Sequence, residues 1–221
     1  MHNDMEIRRD VEAELDWDAR LDSRQIGVAV KNGVVSLTGH VSSFAERNAA
    51  EEAVQRVSGV RAIANDIVVE LSFDKTLTDA EVAENAVAAL KSNVAIPSEA
   101  ITLLVKDGWI NLRGQVAYWY QKNAALNAVA NLRGVRGVTN NIMIVCKTSP
   151  LDVTNRIEDA FRRQARIDAE KIRVQVADGV VTLEGDVASY QERQQAESAA
   201  WQAPGVSEVI DKLTVRPSPP R

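Results

Sequence analysis

The amino-acid sequence predicts an α+β protein: three tandem small domains of order αββαβ, each a three-stranded sheet with two helices on one face. Three observations lead there. An eleven-residue phrase occurs three times, as Lys31–Val41, Lys106–Val116 and Ala177–Val187. Each copy opens on Asn32-Gly33, Asp107-Gly108 or Asp178-Gly179, dipeptides that tolerate the positive φ angles of a type I′ hairpin turn. Around each turn the same residue types hold fixed offsets, with the turn glycines 75 and then 71 residues apart. A period that long signals an array of domains and not a solenoid.

Each unit opens with a helix. Ile7, Val11 and Leu15 recur at i, i+4 and i+8 among charged residues, as do Val82, Ala86, Leu90 and Val153, Ile157, Phe161. That is one buried stripe of an amphipathic helix. A loop follows at Asp22-Ser23, Pro97-Ser98 or Asp168-Ala169. The first strand then alternates at period two through Ile26/Val28/Val30, Ile101/Leu103/Val105 and Ile172/Val174/Val176.

A two-residue turn fixes the hairpin register. It sets Val30 opposite Val35 and Val28 opposite Leu37, and likewise Val105 with Ile110, Leu103 with Leu112, Val176 with Val181 and Val174 with Leu183. Every apolar position then faces one side. The hairpin closes on a second glycine, Gly39, Gly114 or Gly185.

The second helix starts at Ser43-Phe44-Ala45-Glu46 and Ser189-Tyr190-Gln191-Glu192, both capping-box sequences. Its inward face is small: Ala50/Ala53/Val54/Val57, Ala125/Ala128/Val129/Leu132 and Ala196/Ala199/Ala200/Ala203. Phe44, Trp119 and Tyr190 share the first turn and are expected in the core or as staples. Gly59, Gly134 and Gly205 stand where a left-handed C-cap residue belongs. Asn65, Asn140 and Asp211 open the last strand by bonding local backbone. That strand runs through Ile67/Val69, Ile142/Ile144 and Leu213/Val215. Whether it lies beside the first or the second strand stays open. The expected units are residues 1–74, 75–149 and 150–216, with a Pro-rich tail at 217–221; linkers lie near Leu71–Leu77 and Lys147–Pro150.

Composition narrows the function classes. The apolar share is 45% and the charged share 26%, ordinary for a globular chain. No apolar run reaches membrane-span length, so no transmembrane segment is expected. The N-terminus shows no signal-peptide pattern, which makes the expected location cytoplasmic. Net charge is −5 overall but uneven: −5 over residues 1–75, +2 over 76–149 and −2 over 150–221. With no basic stripe, nucleic acid is a poor partner.

Catalysis finds no purchase. His2 is terminal, and His40 aligns with Gln115 and Asp186, so the repeat does not require an imidazole. The single cysteine, Cys146, ends a strand and reads as a small hydrophobe. Neither an enzyme activity, a metal site nor a cofactor is expected.

The hairpin with its Asn/Asp-Gly turn, the second glycine six residues on, the Gly-Val twenty further and the Asn/Asp ahead of the last strand resemble the BON domain. The resemblance covers nearly the whole chain and suggests the three-BON relatives among osmotically inducible proteins. It implies a non-enzymatic module that attaches to anionic phospholipid or other envelope components under osmotic or envelope stress. The family also implies a periplasmic alternative for location, since many relatives are exported.

The face turned away from the helices separates the repeats. Repeat three carries Arg173, Gln175, Thr182, Glu184 and Thr214 there, and repeat one the small Gly27, Ala29, Ser36 and Thr38. Repeat two carries Leu104, Trp109 and Met143, with Lys106 across from Trp109. It also replaces the capping serine with Tyr118, giving Tyr118-Trp119-Tyr120 beside Lys122. Leu104, Lys106, Trp109, Tyr118, Tyr120, Lys122 and Met143 are therefore the candidate binding residues. An apolar outer face on a small sheet is a contact surface. Two occupants fit it: an anionic lipid surface, or a covering repeat, subunit or other protein in a scaffold, self-association included. Exposure of Trp109 separates a free face from one that a neighbouring repeat covers.

Overall fold

The structure, a computed structural model, describes residues 3–71, 77–145, 149–164, 167 and 171–216. Cys146, His2, the Asp168-Ala169 loop, the 217–221 tail and residues 72–76 and 147–148 of the linkers lie outside the described residues. The first repeat runs α1 (Asp4–Trp17), β1 (Ile26–Lys31), β2 (Val34–Val41), α2 (Phe44–Gln55) and β3 (Ala62–Val69). The second runs α3 (Asp79–Ser92), β4 (Ile101–Lys106), β5 (Trp109–Val116), α4 (Trp119–Ala130) and β6 (Gly137–Ile144). The third runs α5 (Pro150–Arg163), β7 (Ile172–Ala177), β8 (Val180–Val187), α6 (Tyr190–Trp201) and β9 (Glu208–Val215).

Each sheet places the second hairpin strand in the centre: β1-β2-β3, β4-β5-β6 and β7-β8-β9. The third strand joins the second in parallel in the outer repeats, Val34 opposite Ala62 and Val180 opposite Glu208. The intervening helix supplies the crossover that a parallel pair needs. In those repeats the hairpin register is the one the two-residue turn dictates, including Val28 opposite Leu37 and Val174 opposite Leu183. All three turns have positive φ at both central residues, Asn32, Asp107 and Asp178 near 50° and their glycines near 80°.

What holds the turns was not visible in the sequence. In repeat one, the Asn32 and Gly33 N–H groups donate to the Asp4 carboxylate at 2.8 and 3.0 Å. In repeat two, Asp107 and Gly108 donate likewise to Asp79 at 2.8 and 2.9 Å. The turn glycine's carbonyl in turn accepts from Arg61, Arg136 or Ser207 N–H just ahead of the third strand. The hairpin tip is thus bound to the first helix in two repeats and to the third-strand segment in all three. Farther along, a Cβ at Gly39, Gly114 or Gly185 would overlap the carbonyl of Gln25, Ala100 or Lys171.

The cores follow the expected stripes. Ile7, Val11 and Leu15 pack with Val35, Leu37, Ala50, Ala53, Val54 and Ile67 in repeat one. Val153, Ile157 and Phe161 pack with Val181, Leu183, Ala196, Ala199, Ala200 and Leu213 in repeat three. The matching residues of repeat two, from Val82, Ala86 and Leu90 to Ile110, Leu112 and Ile142, are buried too. By compactness the chain parts into two units. Residues 1–89, 103–111 and 127–139 form one; 90–102, 112–126 and 140–221 form the other.

Three expectations need correction. The capping carboxylates overshoot: Glu46 accepts from the Ser42 backbone and hydroxyl, and Glu192 from Ala188 N–H, one residue before the cap. Asn65, Asn140 and Asp211 do bond local backbone, accepting from Ile67, Ile142 and Leu213 N–H. They sit inside the third strand and not at its start, because pairing with the central strand begins three residues earlier. The aromatics that start the second helix are not uniformly core. Phe44 is 9% exposed, Trp119 36% and Tyr190 64%, and Phe44 itself lies outside its repeat's own apolar cluster. Their first-turn position lies at the edge of the helix's buried face, so burial there depends on what stands beside the repeat.

Candidate functional site

Strand parity decides which residues of repeat two look outward. Ile110 and Leu112 are buried on β5, so Trp109 and Asn111 turn away from the helices; Ile142 is buried on β6, so Met143 turns outward. Trp109 is 49% exposed and Leu104, on β4, is 63% exposed in the intact chain. Lys106 is exposed as well, and among the described residues it forms no ion pair.

Trp109 keeps half its ring out of water by lying on Gly137, the first residue of β6. A Cβ at Gly137 would overlap the indole. The corresponding pairs are Val34 with Ala62 and Val180 with Glu208, both in register. A glycine therefore appears opposite this position only where the tryptophan needs the room. That internal correlation was the available signal for Gly137, and single-position reading missed it.

The aromatic run at the start of α4 does not act as one cluster. Tyr118 and Tyr120 turn toward each other, ring centres 5.4 Å apart and planes tilted by 33°. Trp119 instead packs on Trp201 of repeat three, ring centres 5.0 Å apart. Trp201 is half-buried, packed both on its own repeat's apolar core and on Trp119. Lys122 is half-buried, its carbonyl accepting from Asn140 Nδ2 at 3.0 Å, and its ammonium meets no carboxylate among the described residues. Leu104, Lys106 and Trp109 belong to one compact unit; Tyr118, Tyr120, Lys122 and Met143 belong to the other.

Tyr118 borders a cleft of about 760 Å³, lined mainly by Pro97, Ala100, Val116, Val145 and Pro204, with Gln121 and Arg156 as polar members. The outer faces of the other repeats are less uniformly small or polar than the sequence suggests. Val34 and Val68 in repeat one and Ile210 in repeat three are exposed there. None is aromatic, and Lys212 pairs with Glu184 at 3.0 Å on the third sheet.

The arrangement offers contact surface. Among the described residues no three His, Cys, Asp or Glu side chains converge as metal ligands, and no helix is long and apolar enough to cross a membrane. His40 is half exposed on β2 with its Nδ1 2.9 Å from Glu70. Asp18, at the end of α1, is held well below the usual carboxylate range chiefly by Arg20, with Arg56 adding to it.

Residues 3–70, 78–146 and 151–217 each match the family model described as BON domain. Among the curated proteins none matches the sequence. One similar solved structure is CdsD, a structural protein of the type III secretion system of Chlamydia trachomatis. It is 15% identical over 95% of this chain and 92% of its own, with a TM-score of 0.28. Another, the C-terminal domain of the same protein, is 14% identical over 98% and 100%, with a TM-score of 0.26.

Proposed function

The chain belongs to the BON domain family, and on that premise we propose that it is a non-enzymatic binding module that attaches through its middle repeat to anionic phospholipid, in the response to osmotic or envelope stress. One observation carries the reading: Trp109 and Leu104 stand exposed on the outer sheet face beside Lys106, which forms no ion pair among the described residues. Amphipathic rings flanked by ammonium groups suit the headgroup boundary, where a ring is half buried and a lysine meets phosphate. Burying the side chains of Leu104 and Trp109 would contribute roughly 1.5–3 kcal/mol each if complete, and the nearby lysine about 1 kcal/mol. Such totals support reversible attachment and not permanent anchoring.

Flotation of the chain with anionic and neutral liposomes tests this. The native chain is expected to float with the anionic vesicles alone. Trp109→Ala and Lys106→Glu, both at exposed positions, are expected to stay with the soluble fraction while remaining folded. Equal behaviour of all three chains would remove the middle repeat's outer face as the attachment surface.

A further inference from the structure

Corresponding corners of adjoining repeats face each other at both junctions, and at one of them they are bonded. Between repeats two and three, the Gly205 N–H donates to the Ala117 carbonyl at 2.7 Å, and Trp119 packs on Trp201 just beside that bond. Between repeats one and two, Ser42, Ser43 and Ala45 share a crevice with Ala130 to Val135. Stepping by the repeat offsets, Ser42 corresponds to Ala117 and Ala130 to Trp201. Between repeats two and three the start of one repeat's second helix thus receives the end of the next repeat's second helix with its Gly-Val turn; between repeats one and two the corresponding segments line one crevice, without that backbone bond among the described residues.

Burial follows that pattern. Val135 and Val206, the valines of these Gly-Val turns, are fully buried; Val60, their counterpart in repeat one, is only half-buried and Gly59 beside it is exposed. At the other half of the junction, exposure climbs from Phe44 through Trp119 to Tyr190, the position in repeat three. Among the described residues, the Gly59 N–H and the Ala188 carbonyl, counterparts of the bonded Gly205 and Ala117, have no hydrogen-bond partner. Repeat one therefore displays the unused donor half of this junction, and repeat three the unused acceptor half.

We propose that two copies of this chain associate head to tail, the Gly59–Val60 corner of one docking at Ala188–Tyr190 of the next. The surfaces differ, so the contact is heterologous and each association leaves both halves open again. A second copy is the occupant because the docking geometry continues one the chain already uses between its own repeats. The contact is weak by composition: Gln55 stands where Trp201 supplies its ring, and repeats one and three both carry net negative charge, so added salt favours it. This inference goes beyond membrane attachment and requires no vesicle.

Sedimentation velocity of the full chain across a concentration series tests it, at low salt and at about 0.5 M salt. The native chain is expected to show a sedimentation coefficient that rises with concentration, more steeply at high salt. Gln55→Trp, which restores the missing ring at an exposed site, is expected to lower the midpoint concentration by about threefold to tenfold. Tyr190→Glu is expected to abolish the rise, and Gln55→Trp combined with Tyr190→Glu to remain monomeric. Circular dichroism confirms that each variant is folded. A Gln55→Trp chain that stays monomeric at about 1 mM overturns the proposal. Association that Tyr190→Glu leaves unchanged also overturns it, because the contact then lies elsewhere.

Discussion

The sheets of repeats one and two are built on one plan and finished differently. Both centre on the second hairpin strand, both bury the same alternate residues, and both fasten the turn to a carboxylate of the first helix. On the outer side, repeat one sets Val34 against Ala62, whereas repeat two lays Trp109 over Gly137 and adds Leu104. The inner face is constrained by close packing, where even one methylene is felt. The outer face is free of that constraint, so specialisation accumulates there at little cost to the fold.

The largest expected effect tests whether the inner faces are equivalent. Leu37→Ala and Leu112→Ala, both at fully buried sites, are each expected to destabilise the chain by about 2–5 kcal/mol in chemical denaturation. A much milder effect in repeat two would break the equivalence of the cores. Next comes the turn. Gly108→Val forces a β-branched residue to a φ of 77° and is expected to cost about 1–3 kcal/mol. Asp79→Ala strips both turn N–H groups of their acceptor and is expected to cost about 1–2 kcal/mol. Asp4→Ala in repeat one is expected to match it.

A smaller effect belongs to repeat one alone. Asp18 is ionised more readily in the folded chain than in the unfolded one, since Arg20 and Arg56 donate to it at 2.7 and 3.1 Å. A depressed carboxyl pKa contributes stability above the unfolded value of about 4, and that stability is lost as pH falls below it. Asp18→Asn is therefore expected to flatten the acid limb of the stability profile and to cost only about 0.5–1 kcal/mol at neutral pH, because both guanidinium groups are partly solvated. Smallest of all is Trp109→Ala, expected to change stability by less than about 1 kcal/mol while abolishing flotation with anionic vesicles. A large loss of stability there would mean that the indole serves the fold.

The fold was legible because its signals are local. A two-residue turn dictates a register, and alternation about it dictates a face, so Val28 opposite Leu37 followed from the chain alone. The position of the third strand did not, since each hairpin strand offers an edge; the helical crossover settles it for the strand that precedes it. Trp109 and Leu104 were readable by parity, Gly137 only as Trp109's companion in register. The carboxylates of Asp4 and Asp79 act on turns 28 and 29 residues downstream, and no local pattern announces them. Trp119 looked like a core residue because its helix position suits one. Its partner, Trp201, lies in another repeat, where periodicity within a unit cannot reach.

That indole pair also gives the molecule an optical reporter. Two rings 5.0 Å apart share their excited states, whereas Trp17, largely solvated at the end of α1, absorbs and emits as an isolated chromophore. Loss of the exciton signal in circular dichroism therefore marks the parting of repeats two and three, even while every helix is intact. Separating that event from the melting of the sheets would show whether the junction yields before the domains it joins.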